Sequence, residues 1–283
     1  MRNFYKIFLF SASTIFGNLF LSACSKLDKE EPIPSYISIE KIDLIVPDSL
    51  KNIQGSNASK ISDAWVYIDD RLQGIYELPA KFPVLNQGEY NLRVRAGIKQ
   101  NGIGSTRPIY PFYAEYSERI SLTEASITAV KPSVRYNSYT SFLWKENFEG
   151  ITISLKKTSQ SDTTFKVLTN EFDGTKSLAA YLDGARTVFE CASEKAYVLP
   201  TNNTSVFLEL NYKTNSPLIV GFIASVASVP YTQSIVSLNP TYGDNGLEWN
   251  KVYINLTADL EYYNSADNFK IFFRVDKPQD IAN

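Results

Sequence analysis

No histidine occurs among the 283 residues. Its absence removes the commonest general base, the commonest transition-metal ligand and the side chain that titrates near neutral pH. Methionine occurs once and cysteine twice, so the chain has no thiolate cluster for a metal and no disulfide framework. An excess of one charge is missing too: 28 Lys and Arg stand against 30 Asp and Glu, a formal net of -2 with pI near 5.4. Without a basic field to attract phosphate backbones, nucleic acid is not an expected partner. No metal and no cofactor are expected either. What remains is the composition of a folded protein, 44% hydrophobic and 20% charged, on a chain long enough for about two domains.

The chain opens with Arg2 and Lys6, followed by an apolar stretch from Ile7 to Leu21 that Ser11, Ser13, Thr14 and Asn18 interrupt. So short and broken a stretch reads as a secretory leader rather than a span of about 30 Å of hydrocarbon. It ends in Leu21-Ser22-Ala23-Cys24, which resembles the bacterial lipobox. That resemblance implies cleavage before Cys24, acylation of its thiol (the palmitate-bearing position) and of the new amino terminus, and durable membrane anchoring by two or three chains. The other reading is an ordinary leader cleaved nearby. Residues 1–23 hold two basic side chains and no acid, so the mature balance becomes 26 against 30, and Cys191 is the one cysteine left besides Cys24. In Thr187-Val188-Phe189-Glu190-Cys191-Ala192, Cys191 reads as a buried, inert strand residue.

Residues 24–35 read as a charged, proline-bearing tether. The acid-rich run after Cys24 resembles the surface-export signal of Gram-negative bacteria with starch-utilisation-type lipoproteins. It implies an outer-membrane protein that faces the cell exterior, with the periplasmic leaflet as the alternative. Asp48-Ser49-Leu50 and Asp162-Thr163-Thr164 resemble the O-glycosylation acceptor of the same bacteria.

Beyond the tether, alternation of apolar and polar residues recurs and helical spacing does not, so the fold class is all-β. Tyr90, Leu92, Val94 and Ala96 alternate with polar neighbours, and Trp65–Ile68 and Leu72–Tyr76 flank Asp69-Asp70-Arg71 as a hairpin. We expect two β-sandwich domains, at residues 36–128 and 129–283. Ala64–Gly74, with Pro79, Gly88-Glu89-Tyr90 and Gly97, resembles the PEGA-like or carboxypeptidase-regulatory-like sandwich, which implies a spacer or docking unit. In the second half Phe207–Lys213, Val220-Gly221-Phe222 and Trp249–Ile254 resemble galactose-binding-like jelly rolls and carbohydrate-binding modules.

Carboxylates alone can hydrolyse glycosides, and Glu146, Glu149, Asp173, Asp244 and Glu248 are candidates; each lies among turn or strand-edge residues, so an enzyme is not expected. Asp173-Gly174 and Asp244-Asn245-Gly246 could offer oxygens to calcium, but turn chemistry explains them more simply. Sugars bind on aromatic faces with amides and carboxylates meeting their hydroxyls. Tyr231, Tyr242, Asp244, Asn245 and Trp249 are the residues of that type, unless Trp249 packs under a strand and Tyr231 caps a core. The Gly97–Tyr113 segment, with Arg107, Tyr110, Phe112 and Tyr113, forms either a docking patch for a membrane barrel or another lipoprotein, or the closure of a sandwich or interdomain seam. Tyr253 and Phe207 are candidates to face the first domain.

Overall fold

A computed structural model describes residues 31–172 and 175–277, and in it the chain is all-β. Cys24 and the leader lie outside the described residues, as do Asp173 and Gly174. The first half contains β1 (Ser35–Ile39), β2 (Asp43–Leu44), β3 (Ile61–Ile68), β4 (Arg71–Glu77), β5 (Ala80–Val84), β6 (Gly88–Ile98), β7 (Tyr116–Leu122), β8 (Ile127–Val130) and β9 (Ser133–Val134). A four-stranded sheet in the order β4-β3-β6-β7 packs on a three-stranded sheet in the order β5-β1-β8, and β2 pairs with β9. Alternation decides which face is buried. Leu92, Val94 and Ala96 of β6 point into the core with Ala64, Val66 and Ile68 of β3, while Asn91 and Arg95 point out. Asp69 and Asp70 form the two-residue turn between β3 and β4 at φ 43° and 65°, the left-handed pair that matches strand twist.

β8 runs parallel to β1 and β9 parallel to β2, and Val130, Val134 and Tyr136 lie in the first core. The boundary expected between residues 128 and 129 therefore cuts through a strand. The partners that β1 and β2 take are supplied from past the expected break.

The second half contains β10 (Leu155–Lys157), β11 (Phe165–Phe172), β12 (Thr175–Ala180), β13 (Val188–Ser193), β14 (Phe207–Tyr212), β15 (Leu218–Val226), β16 (Val229–Leu238), β17 (Tyr242–Gly243), β18 (Gly246–Leu247), β19 (Asn250–Asn255) and β20 (Asn268–Asp276). Its main sheet has five strands in the order β10-β13-β20-β15-β16. Opposite it, where a jelly roll would carry a continuous sheet, the layer is divided between the β14–β19 ribbon and the β11–β12 hairpin. Phe222, Phe269, Ile271 and Phe273 fill the core between the layers.

The ribbon has both faces covered. On β19, Val252 and Ile254 enter the second core whereas Tyr253, between them, enters the first. On β14, Leu208 and Leu210 face the second core and Phe207 packs against the first. Successive strand residues point to opposite sides, so a two-stranded ribbon is a common wall for two cores. The Gly97–Tyr113 segment completes the joint along the edge of β19: Asn101 N–H donates to the Tyr253 carbonyl (2.9 Å), and Asn255 N–H donates to Asn101 Oδ1 (2.8 Å).

Candidate functional site

Where the ribbon meets the first half, its Tyr212/Asn250 end comes up against residues 58–60 and leaves an open cleft of about 220 Å³. Ser59 and Lys60 line one side, and Phe172, Asn211, Trp249 and Asn250 the other. Trp249 is held from several directions. Its indole N–H donates to the Glu171 carbonyl (2.7 Å), the Phe172 ring meets it edge-on at 5.1 Å, and the Lys213 ammonium lies 5.3 Å from the ring centroid. Lys213 is also paired with the Glu171 carboxylate at 3.2 Å.

Asn250 bridges the two sides, donating through Nδ2 to the Tyr212 hydroxyl (3.1 Å) and accepting through Oδ1 from the Lys60 ammonium. Among the described residues the side chains of Asn211 and Ser59 make no hydrogen bond, which leaves an amide and a hydroxyl at the cleft wall. Lys251 is already committed: its ammonium is paired with Glu209 and lies 5.5 Å from the Tyr253 ring centroid. The Lys60 pKa is lowered, first by burial around its ammonium and second by the charge of Lys99. Among the described residues the lining contains no carboxylate. An aromatic surface beside amide, hydroxyl and ammonium groups can hold a polyhydroxylated ring through its CH face and its hydroxyls.

Of the residues expected to meet a sugar, Trp249 is in this cleft. Tyr242, Asp244 and Asn245 stand beside it on the exposed β17–β18 hairpin, whose base is closed by Glu248 N–H donating to the Thr241 carbonyl (2.8 Å). Tyr242 is 68% exposed, and among the described residues Asp244 and Asn245 make no side-chain hydrogen bond. Tyr231 is elsewhere. It pairs with Ala224 near the far end of β16, and the seven strand steps from Tyr231 to Leu238 span about 23 Å.

The candidate docking segment is used within the chain. Tyr110 and Tyr113 are 2% and 6% exposed, and Phe112 is half-buried against Phe207. Tyr110 donates to Glu209 Oε1 (2.8 Å), Tyr136 donates to the same carboxylate (2.9 Å), and the Tyr113 and Tyr253 hydroxyls lie 3.0 Å apart. Arg107 joins Asp63 (2.6 Å) to Glu77 (2.7 Å) and donates to the Gly104 carbonyl (2.8 Å), which closes its own loop. Of the two expected readings, docking patch or seam, Tyr110, Phe112 and Tyr113 follow the seam: they pack in the first core and against Phe207 and Tyr253 of the ribbon.

The candidate acids are turn-formers. Glu146 accepts from the Phe148 and Ser154 amides, each at 2.6 Å, and Glu149 accepts from the Lys176 amide at 2.6 Å. Glu248 is exposed beside Gly243. Asp173, and with it one of the two calcium candidates, lies outside the described residues. Among the described residues no group of three His, Cys, Asp or Glu could hold a metal. Thr163 is buried, with its hydroxyl directed to the Tyr181 carbonyl at 3.4 Å, so this acceptor match is closed in the folded protein; Ser49 is exposed.

No protein-family model matches the chain, and no curated protein matches it. Among solved structures, one similar chain is described as "Structural basis for the promiscuous specificity of the carbohydrate-binding modules from the beta-sandwich super family". It is 11% identical over 76% of this chain and 78% of that one, with a TM-score of 0.26, a superposition too poor to transfer a ligand. The site must be read from its own residues. Sequence reasoning missed Ser59, Lys60, Phe172, Asn211 and Asn250. Asn250, next to Trp249, was open to inclusion as an amide beside an aromatic. Lys60 carried no signal at all, since its partner is 190 positions away.

Proposed function

We propose that this protein is a noncatalytic binding protein, lipid-anchored at Cys24 and displayed outward from a bacterial outer membrane, that takes extracellular glycan in the cleft beside Trp249. The observation that carries the glycan reading is the fixed Trp249 indole next to the free Asn211 amide and Ser59 hydroxyl. Saccharide recognition requires that combination, an apolar face together with uncommitted hydrogen-bonding groups. The cleft is smaller than the roughly 300–1,000 Å³ of drug-sized sites, so it admits one ring or the end of a chain while the remainder lies along the exposed Tyr242 hairpin. The anchor rests on Leu21-Ser22-Ala23-Cys24 and the tether that follows.

A glycan array probed with the full chain tests the binding reading. Trp249→Ala abolishes the signal and Tyr231→Ala leaves it intact; an array silent to the parent protein, or a Trp249→Ala variant that binds like it, rejects the reading. Cys24→Ser tests the anchor separately, by shifting the protein from the membrane to the soluble fraction. Continued lipid labelling of that variant would contradict it. A docking role for the Gly97–Tyr113 segment has less support, because Tyr110 and Tyr113 are spent on the seam.

A further inference from the structure

The charges around the cleft do not balance. Lys251 is matched by Glu209, Lys213 by Glu171, and Lys99 by Glu77 at 3.2 Å. Lys60 has no such match: among the described residues no carboxylate lies within ion-pair distance of its ammonium, whose one recorded partner is the Asn250 side-chain oxygen. An ammonium has three donors, so this geometry leaves two available in the cleft. Lys60 is also constrained from behind, because its own backbone N–H donates to the Tyr253 hydroxyl at 3.0 Å. The Asn250 bridge then holds the ammonium beside the residue that follows Trp249.

We propose that the cleft selects an acidic saccharide, with the sugar ring lying against Trp249 and a carboxylate on the ring, as in a hexuronic acid, meeting the Lys60 ammonium. This rests on the glycan reading and narrows it. A neutral sugar would leave the Lys60 charge without a counterion beside the charge of Lys99. An anionic substituent supplies the missing charge and accepts both free N–H groups. Asn211 and Ser59 remain for the ring hydroxyls. The depressed pKa of Lys60, caused by burial and by Lys99, agrees with an ammonium that lacks a counterion.

The test compares an oligogalacturonate with its methyl ester, which keeps the rings and hydroxyls and removes the charge. Binding is measured by titration calorimetry on the full chain in a polyoxyethylene detergent, at low and high salt. Acid oligosaccharide binding about tenfold tighter than the ester is expected, in line with a charge-assisted hydrogen bond, and the advantage should shrink in high salt. Lys60→Gln removes the advantage of the acid over the ester, whereas Trp249→Ala abolishes binding of both. Acid and ester bound equally, or Lys60→Gln weakening both alike, overturns the acidic selectivity and leaves the glycan reading standing. Should neither probe bind, an array carrying other uronic-acid and neutral saccharides decides: a signal confined to neutral glycans overturns this proposal alone, and no signal overturns both. Lys60 is an exposed side chain, and unchanged thermal unfolding of Lys60→Gln confirms that the variant is folded.

Discussion

If the β14–β19 ribbon is one wall shared by two cores, residues adjacent on β19 but facing opposite ways must report on the same unfolding event. Tyr253 is 1% exposed in the first core, with its ring 4.7 Å from that of Tyr110 and its hydroxyl bonded to Tyr113 and the Lys60 amide. Truncation to alanine costs about 3–5 kcal/mol through the cavity and lost packing. Ile254 is 0% exposed in the second core, and its truncation costs about 2–5 kcal/mol. Either loss is a large part of a stability that is usually about 5–15 kcal/mol. Trp65 lies on β3 and Trp144 packs against the second core, so variants that keep one or the other indole provide a separate probe for each half. In urea, both probes should follow one coincident transition, and Tyr253→Ala and Ile254→Ala should move both probes together. Two resolved transitions, with Tyr253→Ala shifting only the Trp65 signal and Ile254→Ala only the Trp144 signal, would refute the shared wall.

The seam also predicts an alkaline limit. Burial, the Glu209 charge and neighbouring phenols raise the pKa of Tyr110, Tyr113 and Tyr136, and burial and Glu209 raise that of Tyr253. The unfolded chain ionises these phenols near pH 10 while the fold keeps them neutral, so stability is intact below about pH 10 and falls as pH rises above it. Tyrosinate absorbance at 295 nm should show four phenols appearing only with unfolding; smooth titration of all 18 tyrosines in folded protein would contradict this. Burial and the Glu190 charge push the Cys191 thiol up to about 12, so in Cys24→Ser protein it should resist aromatic disulfide reagents at pH 8 and react once urea is added. Fast reaction of folded protein would show the strand to be open. Gly221→Ala places a Cβ 2.0 Å from the Gln233 carbonyl oxygen and 2.7 Å from the Phe272 ring, at the bulge where β15 shifts register. Overpacking of this kind costs roughly 1–3 kcal/mol, and an unchanged urea midpoint would show that the sheet yields there.

The strands were legible because a half-buried strand writes its inside and outside into alternate residues, as in β6 and β19. What covers each face was legible only in part: Phe207 and Tyr253 alternate with Leu208 and Ile254 and were candidates to face the first half, and their side does meet the first core rather than water. Tyr110 and Tyr113 were open to two readings, docking patch or seam, because composition gives the need for burial and not the surface that satisfies it. The expected break fell within β8 and ahead of β9 because parallel pairing with β1 and β2 is a contact across roughly ninety residues, with no local signature. In the cleft, Trp249 stood out as an aromatic beside a polar turn. Lys60 did not, since a lysine before a strand becomes informative only when the chain sets it beside Asn250.

The cleft belongs to neither half. Ser59 and Lys60 come from the approach to β3, Phe172, Asn211 and Asn250 from β11, β14 and β19, and Trp249 from the residue just before β19. Its dimensions are set by how the first core seats against the ribbon, through Tyr253, the Glu209 carboxylate and the Asn101–Asn255 pairing. A ligand held there touches both halves and binds only while they are seated, so by linkage it stabilises the seam: at 100 times its dissociation constant the gain is about 2.7 kcal/mol. Conversely, a seam variant far from the ligand, such as Tyr136→Phe, which removes a hydroxyl from Glu209 and leaves every lining residue in place, should weaken binding through loss of the seated geometry. Ligand-induced stabilisation equal in the parent and Tyr136→Phe proteins, with affinity unchanged, would mean that the cleft keeps its shape without the seam.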